Sequence, residues 1–361
     1  MDSYPKTYRE GSCKMKTIQV HVDKNVDNSE NYVQAVEFLN NGDVVAFPTE
    51  TVYGLGAVAT EDKAVKKIFA AKGRPSDNPL IVHIGTKEEV ALYAEHIPDV
   101  ARKCMDAFWP GPLTLILQAK SNVLAPSVMA GLHTVGIRMP DHPVAQKLLQ
   151  TLGKPLAAPS ANRSGKPSPT KASHVYEDLA GIIPCILDGG MTGIGVESTV
   201  LDVTLDQPVI LRPGGVTKEM LEEVIGPVLE PNFEQQKIES TPKAPGMKYT
   251  HYAPDAPVYL IEAKEQVVSE AIQHLKQLNH QVALLAPQGF ERLQADYYFS
   301  LGAAQEIEQM SAALYDALRA CDKTDATVIL ATATTRKGVG TAIMNRLEKA
   351  AGGKWFKKNE F

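Results

Sequence analysis

Two α/β domains, the first on a mixed, twisted sheet and the second smaller and on a parallel sheet, are what this 361-residue sequence predicts. From residue 17 to about 229, short β-rich runs alternate irregularly with helical patterns, the rhythm of an α/β domain. Several of those runs stand too close together for crossover helices, so some strands must pair antiparallel. From 258 onward the alternation is clean, as in a small Rossmann-like parallel domain. The length suits two ordinary domains, at 15–229 and 258–352.

In chain order, NSENYVQAVEFLNNG (28–42) reads as a helix closed by Gly42 and leading into the strand VVAF at 44–47. TEDKAVKKIFAAKG is a helix stopped by Gly73. TKEEVALYAEH starts a helix at Thr86, with Glu89 three residues on, the spacing of a capping box. LIVHI, LTLIL, TVGIR, PLAAP, CILD, STVLDV and VILR read as strands, and the helix after Thr217 ends at Gly226. Residues 230–257 contain five prolines and little periodicity, a linker that is long for a connector and so a candidate cover for a site. Beyond it come VYLI, a helix near 265–278, VALLAP, YYFS, a helix ending near Cys321, TVILATA and a helix near 342–351.

Composition narrows the function. Apolar residues at 44% and charged residues at 22% allow a sizeable core. A net charge of -5 gives no reason for the whole molecule to bind nucleic acid or an anionic membrane, so any anion site is local. Four scattered cysteines suggest neither zinc nor disulfides and fit a reducing cytoplasm. The first fourteen or so residues are polar, without the apolar stretch of a signal peptide, and read as a loose tail. No apolar run reaches membrane-spanning length.

The chemistry-bearing stretches share one feature, polar groups at turns and strand ends. KGRP puts Lys72 and Arg74 between a helix and a strand, where they suit phosphate or else the dipole of the helix end. Asn78 follows, and His83 lies inside LIVHI, a core histidine or a ligand. Arg138 in GIRMP and Arg212 in LRPGG sit at strand ends and call for an anionic partner, a structural carboxylate or a bound ligand. APSANRSGKPSPT (158–170) is dense in hydroxyl and amide groups, as a binding loop or a plain turn. FPTETVYGLGA carries Thr51 and two glycines suited to close backbone approach, but no dinucleotide fingerprint. GIGVESTV places Ser198 beside a strand start. There is no P-loop, GxSxG or HExxH, and no nucleophile is suggested; the pattern is a pocket that positions anions by electrostatics.

In order, PTETVYGLG, KGRP..NPL, GIRMP, APSAN.SG, VESTV and LRPG resemble the YrdC-like threonylcarbamoyl-AMP synthase family over about residues 40–216. PGMKYTHYAP and GVGTAIMNRLEKAA resemble its longer, two-domain branch. The resemblance implies a YrdC-like fold and an adenylyl-transferring enzyme that makes threonylcarbamoyl-AMP and pyrophosphate from L-threonine, bicarbonate or CO2, and ATP, with Mg2+ on the phosphates. The product would serve N6-threonylcarbamoylation of adenosine 37 in tRNA through a separate transferase. It further implies Thr51, His83, Arg138 and Ser198 around threonine, and Lys72, Arg74, Asn78, Thr134, Ser160, Asn162, Ser168 and Arg212 around ATP, with Lys72 and Arg74 as the electrostatic centre. Lys248, Tyr249 and Tyr252 are expected in a lid over the reactants, because carbamates decay in water. Two alternatives stand beside this reading. One is an RNA-binding module, disfavoured because residues 15–230 carry 19 Lys and Arg against 25 Asp and Glu. The other is a carbamoyl-adenylate-forming enzyme, which would carry further catalytic domains.

Overall fold

The structure, a computed structural model, describes residues 15–23, 30–230 and 252–361. The expected N-terminal tail and most of the expected linker lie outside the described residues. The first domain runs through β1 (Ile18–His21), α1 (Glu30–Asn40), β2 (Val45–Phe47), β3 (Gly54–Val58), α2 (Asp62–Lys72), β4 (Ile81–His83), α3 (Val90–Tyr93), α4 (Asp99–Phe108), β5 (Leu113–Gln118) and α5 (Pro126–Met129). It continues through β6 (Thr134–Arg138), α6 (Pro143–Leu152), β7 (Leu156–Ala157), α7 (Ala172–Leu179), β8 (Cys185–Asp188), β9 (Thr199–Asp202), β10 (Val209–Arg212) and α8 (Lys218–Ile225). Its strands form one sheet in the order β1-β8-β2-β3-β7-β4-β6-β5-β9-β10. The sheet is mixed: β4 runs parallel to β6 and β5 to β9, while β7 is antiparallel to both its neighbours.

Strand alternation decides which face of this sheet is core. Leu113, Leu115 and Leu117 of β5 join Val82, Ile84, Val135 and Ile137 in the main apolar cluster, together with residues of α2, α4 and α7. On the opposite face α1 and α6 cover the β1 end of the sheet around Phe47, Leu148 and Leu187. The intervening residues of these same strands include Thr114, His83 and Arg138, which are buried but polar. That uncovered stretch becomes the cleft.

Local differences from the sequence reading have identifiable causes. The helix expected from Thr86 forms its capping box, with Thr86 N donating to Glu89 Oε1 at 3.0 Å. It is nonetheless only a 3-10 turn and the single turn of α3, because Ala94 goes extended and bridges to Ala119. GLGAV, to which the sequence reading assigned no strand, is β3. The glycines have the expected use: a Cβ on Gly56 would stand 2.7 Å from the Phe47 ring.

The second domain comprises β11 (Val258–Ile261), α9 (Glu265–Gln277), β12 (Val282–Ala286), β13 (Tyr297–Ser300), α10 (Ile307–Cys321), β14 (Val328–Thr332) and α11 (Gly340–Ala350). Its sheet, ordered β11-β14-β12-β13, is wholly parallel. α10 and α11 pack on one face and α9 on the other.

The two domains are docked by shared core. Val52 and Val196 of the first domain belong to the apolar cluster of α10 and α11, and fully burying one such valine contributes about 1.5–3 kcal/mol. Arg319 of α10 forks onto Asp178 at 3.1 and 2.7 Å and donates to Pro167 O at 2.6 Å. Lys166 reaches Asp255 and Asp322, and Lys171 reaches Asp316. The closest backbone approach is at Gly195, with φ +78°, where an added Cβ would lie 2.4 Å from Ala312 Cα and from Ser311 O. Both the left-handed conformation and the collision oppose a side chain there. Gly195→Ala is expected to destabilise the chain by about 2 kcal/mol or more, read as a lower denaturant midpoint; an unchanged midpoint would show that the domains do not meet in this way.

Candidate functional site

The cleft opens on the polar stretch of the first sheet and is lined by Thr51, Lys72, Arg74, His83, Arg138, Ser160, Asn162, Ser198 and Arg212, with Glu197 and Tyr252 at the side of the second domain. It holds about 710 Å³ of space, its open mouth included. Parallel pairing of β4 with β6 sets His83 directly beside Arg138. Ser198 stands just before β9, backed by Thr114 of β5, and β10 ends in Arg212.

Arg138 is the hub of one half. Its Nη2 lies 2.6 Å from Glu50 Oε1, its Nη1 donates to Thr51 Oγ1 at 2.9 Å, and its Nε donates to Gly111 O at 3.3 Å. Thr49 Oγ1 donates to the Val52 carbonyl, so Thr51 Oγ1 must donate to Thr49 Oγ1 at 2.8 Å while accepting from Arg138. The chain of hydroxyls therefore has one direction and one orientation. His83 Nδ1 lies 3.2 Å from Ile81 O, and a carbonyl only accepts, so the proton is on Nδ1. Burial, and then the charge of Arg138, push the His83 pKa down to about 3, so its imidazole is neutral. Ser198 Oγ lies 2.8 Å from Thr114 Oγ1 and accepts from Arg212 Nη2 at 3.2 Å.

The other half is built on α2 and the loop after β7. The expectation that Lys72 projects from a turn is corrected: it is the last residue of α2 and 4% exposed. Its ammonium donates to Ser160 O and Asn162 O, each at 2.5 Å, and to Asn162 Oδ1 at 3.3 Å, which occupies all three protons. Burial and the neighbouring Arg74 push its pKa well below the ordinary lysine range. The helix end does its part, since Gly73 at φ +60° turns the chain sharply after it. Ser160 Oγ donates to Asn162 Oδ1, and Asn162 Nδ2 donates to the carbonyls of Arg163 and Lys166, so this loop is ordered before any ligand arrives. Arg74 reaches the Pro79 carbonyl at 3.3 Å from the cleft wall.

Not every expected residue meets the cleft. Asn78 is buried behind Arg74, Thr134 begins β6 at the end away from Arg138, and Ser168 turns its hydroxyl to Glu197 Oε1 at 2.5 Å. Lys248 and Tyr249 lie outside the described residues. Tyr252 lies in the cleft wall, at φ +68°, with its ring 5.2 Å from that of Tyr315.

Sequence reasoning missed the carboxylates. Glu50 stands three residues past a strand end in an otherwise hydroxyl-rich turn, and nothing local marks it as the partner of Arg138. Glu197 is buried between the domains and receives Ser168, Tyr315 and Arg346. Burial alone would push its carboxyl up, but Arg346 and Arg212 with these hydrogen bonds hold it down at about 2. Burial, followed by Arg346 and Arg212, brings nearby Lys349 down to about 7. The signal available was NRLEKAA, a helix with an arginine among apolar residues, which is costly without a partner.

The chain matches two family models, one described as "Telomere recombination" over residues 37–214 and one described as "Threonylcarbamoyl-AMP synthase, C-terminal domain" over residues 216–352. A threonylcarbamoyl-AMP synthase of Bacillus subtilis is 51% identical over 345 residues, covering 94% of this chain and 99% of the relative. Another, of Pyrococcus abyssi, is 49% identical over 322 residues, covering 88% and 93%. The crystal structure of P. abyssi Sua5 complexed with L-threonine superposes with a TM-score of 0.89 at 46% identity, covering 94% of this chain and 99% of that one.

The buried neutral His83 has a stability consequence. Its folded pKa of about 3 lies below the unfolded value of 6.5, so its contribution is complete above pH 6.5 and is lost as pH falls toward 3. The loss is about 1.4 kcal/mol per pH unit, hence about 2 kcal/mol between pH 6.5 and pH 5. His83→Gln, which cannot take the proton, is expected to flatten that part of the urea-midpoint profile; parallel profiles would mean that His83 is protonated in the folded chain.

Proposed function

The chain belongs to the threonylcarbamoyl-AMP synthase family, and from that premise we propose that it joins L-threonine, CO2 or bicarbonate, and ATP into threonylcarbamoyl-AMP and pyrophosphate. What supports this reading is one cleft lined by Arg138, His83, Ser198 and Arg212 on one side and by Lys72, Arg74, Ser160 and Asn162 on the other, cations that suit a carboxylate and a phosphate chain side by side. Arg138, steered by Thr51, receives the threonine carboxylate by paired hydrogen bonds. Neutral His83 offers a ring nitrogen as acceptor, and Ser198 offers a hydroxyl. Lys72, Arg74, Ser160, Asn162 and Arg212 surround the nucleotide, with Asn78 and Ser168 in supporting positions and Thr134 proposed to reach it from the far end of β6.

The chemistry needs no protein nucleophile. The threonine amine adds to CO2 and loses a proton, giving a carbamate. A carbamate oxygen then forms a bond to the α-phosphorus of ATP, and the bond to the bridging oxygen breaks with its electron pair leaving on pyrophosphate. What such a displacement asks of a protein is alignment and charge neutralisation. The cations of the cleft supply both, and they are held in place by neighbouring groups, so little reorganisation is needed. Mg2+ would supply further neutralisation on the phosphates. Glu50 and Glu197 face arginines, so such an ion would be held by the phosphate oxygens of the nucleotide. The reaction is adenylyl transfer, and the product would go in the cytoplasm to a separate transferase acting on adenosine 37 of tRNA.

Pyrophosphate release should require both small substrates, falling to background when threonine or bicarbonate is omitted. ATP cleavage at the same rate without threonine would sink the reading. Arg138→Lys, which loses the planar fork, is expected to raise the KM for threonine about 100-fold, close to 3 kcal/mol, with the KM for ATP within about twofold; initial rates of pyrophosphate formation measure both.

A further inference from the structure

We propose that the second domain is part of the active site at one remove: Tyr315 of α10 and Arg346 of α11 are positioning residues that hold Glu197 and thereby set Ser198 toward threonine. The inference rests on the reading of the cleft above. The segment 193–198 is gripped on both sides. On the first-domain side, Ile194 N donates to Glu50 O at 2.8 Å and Gly195 N to Thr51 O at 3.1 Å, so it lies on the same turn that aims Arg138. On the second-domain side, Ser311 Oγ donates to Ile194 O at 2.7 Å, and Gly195 sits against the backbone of Ser311 and Ala312.

Glu197 is where the grip becomes specific. Arg346, with no exposed surface, donates from Nε to Oε2 at 2.8 Å. The Tyr315 hydroxyl lies 2.9 Å from Oε2 and 3.1 Å from Oε1, its single proton shared between them. Ser168 Oγ donates to Oε1 at 2.5 Å. A buried carboxylate held by three side chains cannot swing, and Ser198 is one peptide away. The Ser198 carbonyl in turn accepts from Arg212 Nε at 3.1 Å and Nη2 at 2.9 Å, and its hydroxyl meets Thr114. Two of the three donors to Glu197 come from the second domain. Loosening them releases the N-terminal side of the peptide that carries Ser198, leaving that residue held through its contacts with Arg212 and Thr114 alone.

The test uses the full chain. Tyr315→Phe removes only the hydroxyl and keeps the ring on Tyr252; it is expected to raise the KM for threonine about five- to tenfold, with the KM for ATP within about twofold and kcat within about threefold. Arg346→Met should exceed that effect, and Arg346→Lys, which still offers a charged donor, should recover part of it. Leu284→Ala, in the second-domain core away from Glu197, controls for stability and should leave the KM for threonine unchanged. Should Arg346→Met fail to fold, Tyr315→Phe decides alone. An unmoved KM for threonine in Tyr315→Phe, or a shift matched by Leu284→Ala, overturns the proposal. If the parent chain released no threonine-dependent pyrophosphate, the functional reading would fall by itself. Hydrogen exchange of the peptide 193–203 then decides the positioning: faster exchange in Tyr315→Phe supports it, and unchanged exchange overturns it.

Discussion

A carboxylate taken out of water either finds donors for its oxygens or takes up a proton, and the whole arrangement of this chain turns on how Glu197 meets that demand. Its donors come from three separate segments: the loop holding Ser168, helix α10 with Tyr315, and helix α11 with Arg346. Satisfying one side chain thus fixes the relation of the two domains as well as the wall of the cleft. Such a group adds little net stability, since desolvation offsets much of the attraction, but removing one partner from a buried pair typically costs about 3–5 kcal/mol. The apolar contacts of Val52 and Val196 hold the domains together; the carboxylate selects a single way of docking them.

The same demand is met inside the cleft with opposite sign. Arg138 and Lys72 are both 4% exposed, and each has partners in the absence of any ligand, Glu50 and Thr51 for one and the loop carbonyls at 160 and 162 for the other. Their positions are therefore set by folding. The difference between them is informative. Arg138 faces a carboxylate that another carboxylate could replace, whereas Lys72 donates to neutral oxygens and, among the described residues, forms no ion pair, which favours an anion nearby.

Much of this was legible in the sequence because the relevant residues sit at the ends of recognisable strands. GIRMP, LRPGG and VESTV each announce a strand and a polar residue at its boundary, and the alternation rule then puts Arg138 and His83 on the face away from Leu115. The mixed character of the first sheet followed from spacing alone, and the parallel second sheet from regular alternation. What could not be read was pairing across long separations. Nothing near Glu50 names Arg138, 88 residues on, and Glu197 and Arg346 lie in different domains. Lys72 was misjudged for a related reason: a lysine at a helix end is ordinarily solvated, and only the loop around Asn162, 90 residues later, buries it. The short helix at 86–96 failed because a bridge from Ala94 to Ala119 outweighed a sound capping box.

The fork of Arg319 on Asp178, the lysine bridges and the two valines set into the neighbouring core make docking a property of the surfaces themselves. Their being on one chain adds an effect on concentration. Tethering two faces that already fit turns their meeting into a unimolecular event at an effective concentration on the order of millimolar, so the domains pair with each other before either can pair with a copy on another chain. In that sense the connection keeps the enzyme's two halves from exchanging partners.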